Sequence, residues 1–271
     1  MIGVIKLVMM IRIRMNGMIV DTPDASADRM ERLKTYRVPP AVGKITVSKP
    51  QRWEAERPLY ELAIPDYGFR VSILEHFLRR GCSCTLYPAH TPAEDILAAG
   101  PDGIVLSDGP GDPWDNPEII GILRALAESG RPMFGWGLGH QLMAVAADME
   151  IEKLPVGHRG SNQPVRNLDD GRVMVTEQNH GYTVALRSVK DEVADAFLRN
   201  VNDGTVEGLR CRTKPPRAVR ALRRQWIPGH RLGVRRVCAF AAGEADGNAR
   251  LMAVWKQKRE RRGPGPHRKG W

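Results

Sequence analysis

The sequence has no long apolar run near its amino terminus. Residues 1–18 are hydrophobic but contain Lys6, Arg12 and Arg14, and their longest unbroken apolar run is residues 7–11. A membrane-spanning helix needs about 20 consecutive apolar residues, and the apolar region of a signal peptide needs about 7–15. The pattern therefore predicts a cytoplasmic protein that has no membrane segment.

Cysteine is scarce as well. The chain has four cysteines in 271 residues, Cys82, Cys84, Cys211 and Cys238. They form neither a CxxC pair nor the closely spaced framework of a small secreted domain. We expect them to be reduced thiols of an intracellular protein.

The sequence also lacks residues at the spacing that is typical of metal ligands. His158 and His180 suggest a metal site, but no Asp, Glu or Cys stands at ligand spacing from either of them. We expect these histidines to fix loops or to orient neighbouring groups. The sequence therefore predicts no metal and no other cofactor in this chain.

The basic charge of the chain is confined to one end. The formal net charge is +10, yet 17 of the 41 Lys and Arg residues and only 3 of the 31 Asp and Glu residues follow Cys211, so residues 212–271 carry +14 and residues 1–211 carry −4. The rest of the composition is ordinary for a globular protein, with 42% hydrophobic residues. The length suits one large α/β domain, or one domain plus a smaller piece.

Strand and helix patterns alternate through residues 59–146. Apolar runs bounded by turns predict strands, and apolar residues at helical spacing predict helices. In chain order these are a strand at 59–64, a helix at 73–78, a strand at 82–87, a helix at 91–100, a strand at 103–106, a helix at 119–127, a strand at 133–136 and a helix through 142–146. The alternation predicts the α/β class, with a doubly wound, mostly parallel sheet and helices on both faces.

Fewer elements are predicted outside this region. Residues 15–57 contain an amphipathic helix with Met30, Leu33 and Tyr36 on one face, followed by a strand at 45–47. After Gln141 the chain is rich in loop-forming residues until a strand pattern at 172–176.

Two glycine-rich turns follow predicted strands, at residues 107–113 and 135–139. In sheets of this class, ligands bind at the carboxyl ends of the strands. The second turn has the layout of a nucleophile elbow, in which a strained residue between strand and helix projects a reactive side chain. The residue at that position is Gly137, which tolerates the backbone strain but has no side chain to react.

Six segments, taken in order, resemble the small subunit of glutamine-hydrolysing carbamoyl-phosphate synthase, a class I glutamine amidotransferase. They include Ser-Asp-Gly-Pro-Gly-Asp-Pro, Gly-Trp-Gly-Leu-Gly-His-Gln and Gln-Asn-His-Gly-Tyr, and their positions are residues 66–74, 103–113, 135–141, 157–165, 178–182 and 202–208. Each segment alone is a weak signal. The resemblance divides the chain into residues 1–57, similar to the last part of the family's amino-terminal domain, an amidotransferase-like domain at 58–211, and a tail at 212–271.

The resemblance implies a glutamine site. In the family a cysteine thiolate attacks the side-chain amide and releases ammonia, while backbone N–H groups stabilise the oxyanion. By resemblance, Leu138 and Gly111 supply this oxyanion hole, and the glutamine pocket is lined by Gly109, Gly111, Leu138, Gln141, Asn179, Gly181 and Tyr182. The resemblance also implies a partner, the large synthetase subunit, which binds ATP and Mg²⁺ and uses the ammonia to make carbamoyl phosphate.

The reactive half of this site is missing from the sequence. Gly137 stands where the family has its cysteine, and the His-Pro-Glu motif that supplies the base and its orienting carboxylate occurs nowhere. At the motif's expected place the chain has residues 221–224 (Ala-Leu-Arg-Arg), and His230 has no carboxylate in register. Cys82 and Cys84 belong to an earlier strand and cannot replace the nucleophile. We therefore predict that glutaminase activity is absent.

The resemblance ends at Cys211. Residues 212–271 are rich in Arg, Gly and Pro, have basic clusters at 220–224, 231–236 and 256–262, and lack an apolar period that could build a further strand and helix. One interpretation is a basic arm that binds nucleic acid or another polyanion. The composition favours the other interpretation, a shifted reading frame in GC-rich DNA, and predicts a disordered or poorly packed tail.

Three functions follow from these features. The first is a small-subunit-like amidotransferase that is inactive as a glutaminase. The second is a non-catalytic pseudo-amidotransferase that binds glutamine, or that binds and regulates the large subunit. The third is a polyanion-binding protein that acts through its tail. The sequence leaves the pathway, pyrimidine or arginine synthesis, open.

Overall fold

The computed structural model describes residues 16–19 and 26–211, together with the backbone of residues 219–222. Its first elements are helix α1 (Ala27–Thr35), the single helical turn α2 (Val42–Ile45) and strand β1 (Gln51–Trp53). The helix predicted near the amino terminus is therefore present, although none of its residues is buried.

The strand predicted at 45–47 is wrong, because tertiary contacts fold this segment into a helical turn followed by an anchored loop. Val42 is 1% exposed and packs in the main core. The Val47 N–H donates to the buried carboxylate of Asp66 (2.9 Å), and the Ala89 N–H donates to Thr46 Oγ1 (2.8 Å). Such contacts outweigh the strand propensity of an Ile-Thr-Val sequence.

The middle of the chain forms a parallel sheet. Strands β2 (Tyr60–Asp66), β3 (Cys82–Pro88), β4 (Gly103–Leu106) and β5 (Met133–Gly135) lie in the order β3-β2-β4-β5 and are all parallel, while β1 is antiparallel beside β3. This arrangement confirms the predicted α/β class. Because Leu106 pairs with Gly135, the two glycine-rich turns leave the sheet side by side.

Helices cover both faces of the parallel strands, as a doubly wound sheet requires. Helix α3 (Val71–Leu78) packs on one face, and α4 (Ala93–Ala98), α5 (Pro117–Glu128) and α6 (Leu138–Ala146) pack on the other. Along β4, Ile104 and Leu106 join the core under α4–α6, whereas Val105 joins the core under α3. Among the helices that the structure describes, none has both the length and the apolar character to cross a membrane.

The strand predicted at 172–176 is present within a longer strand, but the loop region predicted before it is wrong, because the chain there folds into an antiparallel strand. Strands β6 (Ile151–Asn167), β7 (Val173–Val184), β8 (Ala194–Asn200) and β9 (Val206–Cys211) pair antiparallel, and β8 bonds to both β6 and β9. In β6 only two residues, Leu154 and Val165, are buried. A strand so exposed, and interrupted by proline and glycine, has no alternating apolar pattern for sequence reasoning to detect.

A short strand from the predicted tail joins the two halves of the sheet. Strand β10 (Val219–Leu222) lies between β5, to which it is parallel, and β9, to which it is antiparallel. The prediction that residues after Cys211 add no strand is therefore wrong over these four residues. Strand formation here depends on backbone pairing with β5 and β9 rather than on a local apolar period. The predictions for residues 212–218 and 223–271 lie outside the described residues.

Candidate functional site

The turn between β5 and α6 is a strand-to-helix elbow. Gly137 immediately precedes Leu138, the first helical residue, and has φ 55° and ψ −122°. Residues with a side chain rarely adopt such a positive φ, so the backbone conformation itself favours glycine. The elbow predicted from the glycine spacing is thus present, with Gly137 at its apex.

The carboxylate of Asp108 occupies the space beside this glycine. A Cβ atom at position 137 would lie 1.8 Å from Asp108 Oδ1 and 2.4 Å from its Cγ. The same Oδ1 accepts hydrogen bonds from the backbone N–H groups of Gly109 (2.9 Å) and Leu138 (3.2 Å). A carboxylate at the first turn of a helix also interacts favourably with the helix dipole. Asp108 therefore caps α6 from the space that a side chain at position 137 would need.

This contact changes the oxyanion hole implied by the resemblance. Of its two implied donors, the Leu138 N–H is hydrogen-bonded to Asp108, and Gly111 lies in an exposed turn with φ 99°. A substrate oxyanion would have to displace the carboxylate from Leu138 and would then lie near a charge of the same sign. In this structure Asp108 takes the bond that the resemblance assigns to the substrate.

All residues that the resemblance assigns to the pocket line one cleft of about 920 Å³. They come from the turn after β4, from the start of α6 and from β7, and they are Gly109, Gly111, Leu138, Gln141, Asn179, Gly181 and Tyr182. Gly137, at the apex of the elbow, lines the same cleft. The cleft therefore lies where the carboxyl ends of β4 and β5 meet the antiparallel half of the sheet. Its position agrees with the general location of ligand sites in such sheets.

Two of these residues also have roles in the fold. Gln141 is 5% exposed, and its Nε2 donates to the carbonyl oxygen of Tyr182 (2.9 Å), which ties α6 to β7. A Cβ atom at Gly109 would lie 2.1 Å from the carbonyl oxygen of Tyr67, so the close approach of the two chain segments requires glycine. These contacts explain both residue types without any ligand.

Charged side chains of both signs line the cleft. The basic ones are Arg37, Lys153 and Arg159, and the acidic ones are Asp108, Asp112 and Asp115. Burial and a hydrogen bond to Asp112 raise the pKa of Tyr182 to about 12. The Tyr182 phenol therefore stays protonated at neutral pH and lies in the cleft as a hydrogen-bond donor.

The described residues supply no substitute nucleophile at the elbow. Cys82 and Cys84 are fully buried in the core under α3, and no described residue that lines the cleft is a serine, threonine or cysteine. His140 is 0% exposed within α6 and does not line the cleft. His230 lies outside the described residues.

Sequence reasoning missed a cluster of polar side chains on β6, β7 and β9. His158 pairs with His180 across β6 and β7, and Glu207 Oε1 lies 3.2 Å from His158 Nδ1. No acidic residue has metal-ligand spacing from these histidines along the sequence, yet the fold brings Glu207 to them from another strand. The one signal in the sequence was indirect: the three residues fall in the segments 157–165, 178–182 and 202–208 that carry the resemblance.

The environment of His158 is strongly polar. Its Nε2 lies 2.7 Å from Asp203 Oδ2, and its Nδ1 lies 2.8 Å from Gln178 Oε1. Burial lowers the pKa of His158, but the hydrogen bonds to Glu207 and Asp203 outweigh it, so the pKa lies above its ordinary value. This cluster adjoins the cleft, because His180 and Gln178 line both.

The sequence is similar to known proteins over most of its described length. The sequence profile described as Glutamine amidotransferase class-I matches residues 63–219. The chain is 38% identical over 223 residues to the carbamoyl phosphate synthase small chain of Halomonas eurihalina, covering 74% of this chain and 58% of that protein. It is 43% identical over 169 residues to the carbamoyl phosphate synthase pyrimidine-specific small chain of Halalkalibacterium halodurans, covering 62% of this chain and 46% of that protein. The chain thus spans about half the length of these relatives.

A solved structure shares the fold. A candidate GMP synthase subunit from Thermoplasma acidophilum superposes with a TM-score of 0.56, covering 75% of this chain and 98% of that one, at 16% sequence identity. At this identity the likeness concerns the fold alone, and it agrees with the α/β architecture described above.

Proposed function

Because the chain belongs to the class I glutamine amidotransferase family, we propose that its cleft binds L-glutamine and does not hydrolyse it. In this proposal the protein is a unit similar to the small chain of carbamoyl phosphate synthase that has a substrate pocket and no nucleophile. The observation that carries the proposal is the elbow, where Gly137 stands at the apex and Asp108 fills the adjoining space.

Amide hydrolysis by this chemistry needs three groups. One atom must attack the carbonyl carbon, a base must take its proton, and donors must stabilise the oxyanion. Gly137 offers no attacking atom, and the Leu138 N–H is bonded to Asp108. Loss of a nucleophile that works within a catalytic unit costs on the order of a millionfold in turnover.

Binding without turnover is supported by the charges of the cleft. Free glutamine carries a carboxylate and an ammonium group at one end and a neutral amide at the other. Arg159 and Lys153 offer partners for the carboxylate, and Asp112 and Asp115 offer partners for the ammonium group. Asn179 is exposed in the cleft and offers an amide that can pair with the ligand.

Calorimetry and a turnover assay on the full chain test the two parts of this proposal. We expect L-glutamine to bind with 1:1 stoichiometry and glutamate release to stay at the background of a protein-free sample. Asn179→Ala is expected to weaken binding about tenfold, which is the loss of about 1.4 kcal/mol. Asn202→Ala, an exposed asparagine outside the cleft, is the matched control and should bind like the parent.

The binding part and the turnover part of the proposal can be contradicted independently. Absence of glutamine binding at millimolar ligand would show that the cleft is not an amino-acid site. Glutamate release well above background would instead show that the chain has another nucleophile. Equal binding by the parent and Asn179→Ala would place the ligand elsewhere on the surface.

The similarity to small chains also supports a partner. We propose that the chain docks onto a large synthetase chain of the carbamoyl phosphate synthase type, which would hold ATP and Mg²⁺. Co-elution of the two chains in size-exclusion chromatography is the expected result. Separate elution at micromolar concentrations of both would exclude a stable complex.

A further inference from the structure

His158, His180 and Glu207 form a cluster of metal-ligand type on the antiparallel half of the sheet. One ligand atom from each residue lies within 4.8 Å of the other two. Residues directly opposite in an antiparallel pair project from the same face, and His158 is paired with His180 in this way. Glu207, on β9, completes the group and is 2% exposed.

Irregularities in β6 set the position of His158. The register of β6 and β7 shifts between Lys153 and His158 and again between Gly160 and Gln163, so His158 lies in a short regular stretch between two interruptions. Bulges of this kind change the direction in which a strand presents its side chains, and they occur often beside functional sites. The imidazole rings of His158 and His180 meet edge to face, with centroids 4.8 Å apart.

The distances from Glu207 to the two histidines are close to those between the ligand atoms of a tetrahedral metal site. Zinc binds histidine nitrogen and carboxylate oxygen at about 2.0–2.2 Å, so two ligand atoms in a tetrahedral site lie about 3.3–3.5 Å apart. Glu207 Oε1 lies 3.2 Å from His158 Nδ1 and 3.9 Å from His180 Nε2. The three ligand atoms lie within 4.8 Å of one another, so metal binding requires the two imidazole rings to approach each other by up to about 1.4 Å.

An outer carboxylate orients one of these histidines. Asp203 Oδ2 lies 2.7 Å from His158 Nε2, on the side of the ring opposite Glu207. Histidines that bind metals commonly donate their other ring N–H to a carboxylate, which fixes the tautomer and makes the free nitrogen a better ligand. With its Nε2 proton directed to Asp203, His158 presents Nδ1 to Glu207 and His180.

We propose that His158 Nδ1, His180 Nε2 and Glu207 Oε1 bind one divalent transition-metal ion. Two imidazoles and one carboxylate suit Zn²⁺ and its neighbours in the first transition row, whereas Mg²⁺ and Ca²⁺ prefer oxygen ligands alone. Gln178 Oε1 lies 2.8 Å from His158 Nδ1 and 2.9 Å from His180 Nε2, so both nitrogens donate to it. When the ion enters, these two protons are released to solvent and the Gln178 amide turns aside. Water then takes the fourth position.

The ion reaches this site from the cleft. The side chains of His158 and His180 are 11% and 12% exposed, and His180 lines the cleft wall. The site uses none of the residues assigned to the glutamine pocket, so it stands whether or not glutamine binds. Its role would be to hold β6, β7 and β9 together at the cleft wall.

Zinc titration of the full chain, stripped beforehand with a chelator, tests this proposal. We expect one Zn²⁺ per chain with a dissociation constant in the micromolar range or tighter. Co²⁺ should give the intense visible absorption of a four-coordinate site. His180→Gln and Glu207→Gln should each weaken Zn²⁺ binding at least tenfold, and Asp203→Asn, a positioning change, should weaken it about 10–100-fold.

Two controls separate this site from adventitious binding. His90 is exposed, with its Nδ1 3.2 Å from Glu118, so His90→Gln removes a surface His–Glu pair and should leave affinity unchanged. The double variant His230→Gln and His267→Gln removes the histidines of the tail and should also bind like the parent. Circular dichroism checks that each variant is folded.

Several results would overturn the proposal. These are no Zn²⁺ binding by the stripped parent, equal binding by the parent and His180→Gln, or loss of binding in either control. If the cluster variants fail to fold, X-ray absorption of the zinc-loaded parent decides instead, because the proposal requires two histidine ligands and one carboxylate. A spectrum with no histidine, or with only one, would contradict it.

Discussion

Position 137 is defined by its backbone and by one neighbouring side chain. The φ of 55° favours glycine, and Asp108 Oδ1 lies 1.8 Å from where a Cβ atom would be. The two residues are complementary. Gly137 has no side chain, and the Asp108 carboxylate occupies the adjoining space, where it accepts a hydrogen bond from the Leu138 N–H. A cysteine at position 137 would therefore have a strained backbone and would clash with the Asp108 carboxylate.

Gly137→Cys should lower the free energy of unfolding by about 1–3 kcal/mol, the usual cost of a strained backbone conformation. In an Asp108→Ala background the cost of the same cysteine should be smaller, since the clash with Oδ1 is gone. Urea denaturation of the two single variants and the double variant gives the coupling energy.

Gly171→Cys is the matched control for this cycle. Gly171 also has a positive φ, 71°, but a Cβ atom there would meet nothing within 4 Å. Its cysteine should carry the cost of the backbone alone, and that cost should not depend on Asp108. Additive effects of Gly137→Cys and Asp108→Ala would show that the carboxylate moves aside freely.

At the scale of elements, β10 is the least expected part of the sheet. It comes from a segment whose composition predicts no strand, yet its backbone pairs with β5 on one side and β9 on the other. Without β10, the facing edges of β5 and β9 would have unpaired N–H and C=O groups. Pairing with these groups favours the extended conformation of residues 219–222.

Comparing a chain that ends at residue 211 with one that ends at residue 222 tests the contribution of β10. We expect the shorter chain to be less stable by about 2–4 kcal/mol, because several backbone hydrogen bonds of about 0.5–1.5 kcal/mol each are lost. Urea denaturation measures the difference. Identical midpoints for the two chains would show that β5 and β9 do not depend on this strand.

The elements of the candidate site differ in how visible they are in the sequence. The elbow at residues 135–139 could be predicted, because glycine spacing after an apolar strand is a local signal. The cluster of His158, His180 and Glu207 could not, since three strands contribute one residue each and no local spacing connects them. The position of Asp108 beside Gly137 is likewise a contact between two separate turns.

At the scale of the whole molecule, the folded chain buries groups that lose a proton in alkaline solution. Burial raises the pKa of Tyr67, whose side chain is 0% exposed. Burial also raises the pKa of the Cys211 thiol to about 11. The pKa of Tyr182 is raised to about 12 as well. Among the described residues, the Tyr67 hydroxyl has no hydrogen-bond partner.

Stability should therefore decrease in alkaline solution. The unfolded chain loses these protons near pH 9 for cysteine and pH 10 for tyrosine, whereas the folded chain keeps them, so the stabilisation present below pH 9 is lost as pH rises towards 11 and 12. For each group that keeps its proton in the folded chain and loses it in the unfolded chain, the free energy of unfolding falls by about 1.4 kcal/mol per pH unit. Urea denaturation at pH 7, 9, 10 and 11 measures this loss.

Tyr67→Phe isolates the largest of these contributions. It should reduce the slope above pH 10 and leave stability at pH 7 unchanged or raised by about 1 kcal/mol, because a buried hydroxyl without a partner is removed. Tyr36→Phe, at a tyrosine that is 59% exposed, is the control and should leave the slope unchanged. An unaltered slope in Tyr67→Phe would mean that its phenol ionises in the folded protein.

The parallel half of the sheet and the glycine turns could be read from the order of residues alone, because periodic apolar runs and glycine spacing act over a few neighbouring positions. Apart from the strand predicted at 172–176, the antiparallel half could not be predicted in this way, and neither could β10, the carboxylate of Asp108 at the elbow or the histidine cluster. Each of these depends on groups that are distant along the chain. Long-range pairing places them, and in β6, where only two residues are buried, it leaves no periodic apolar pattern in the sequence. Glycine at position 137 is thus visible in the sequence, whereas the carboxylate that lies beside it is a property of the folded chain.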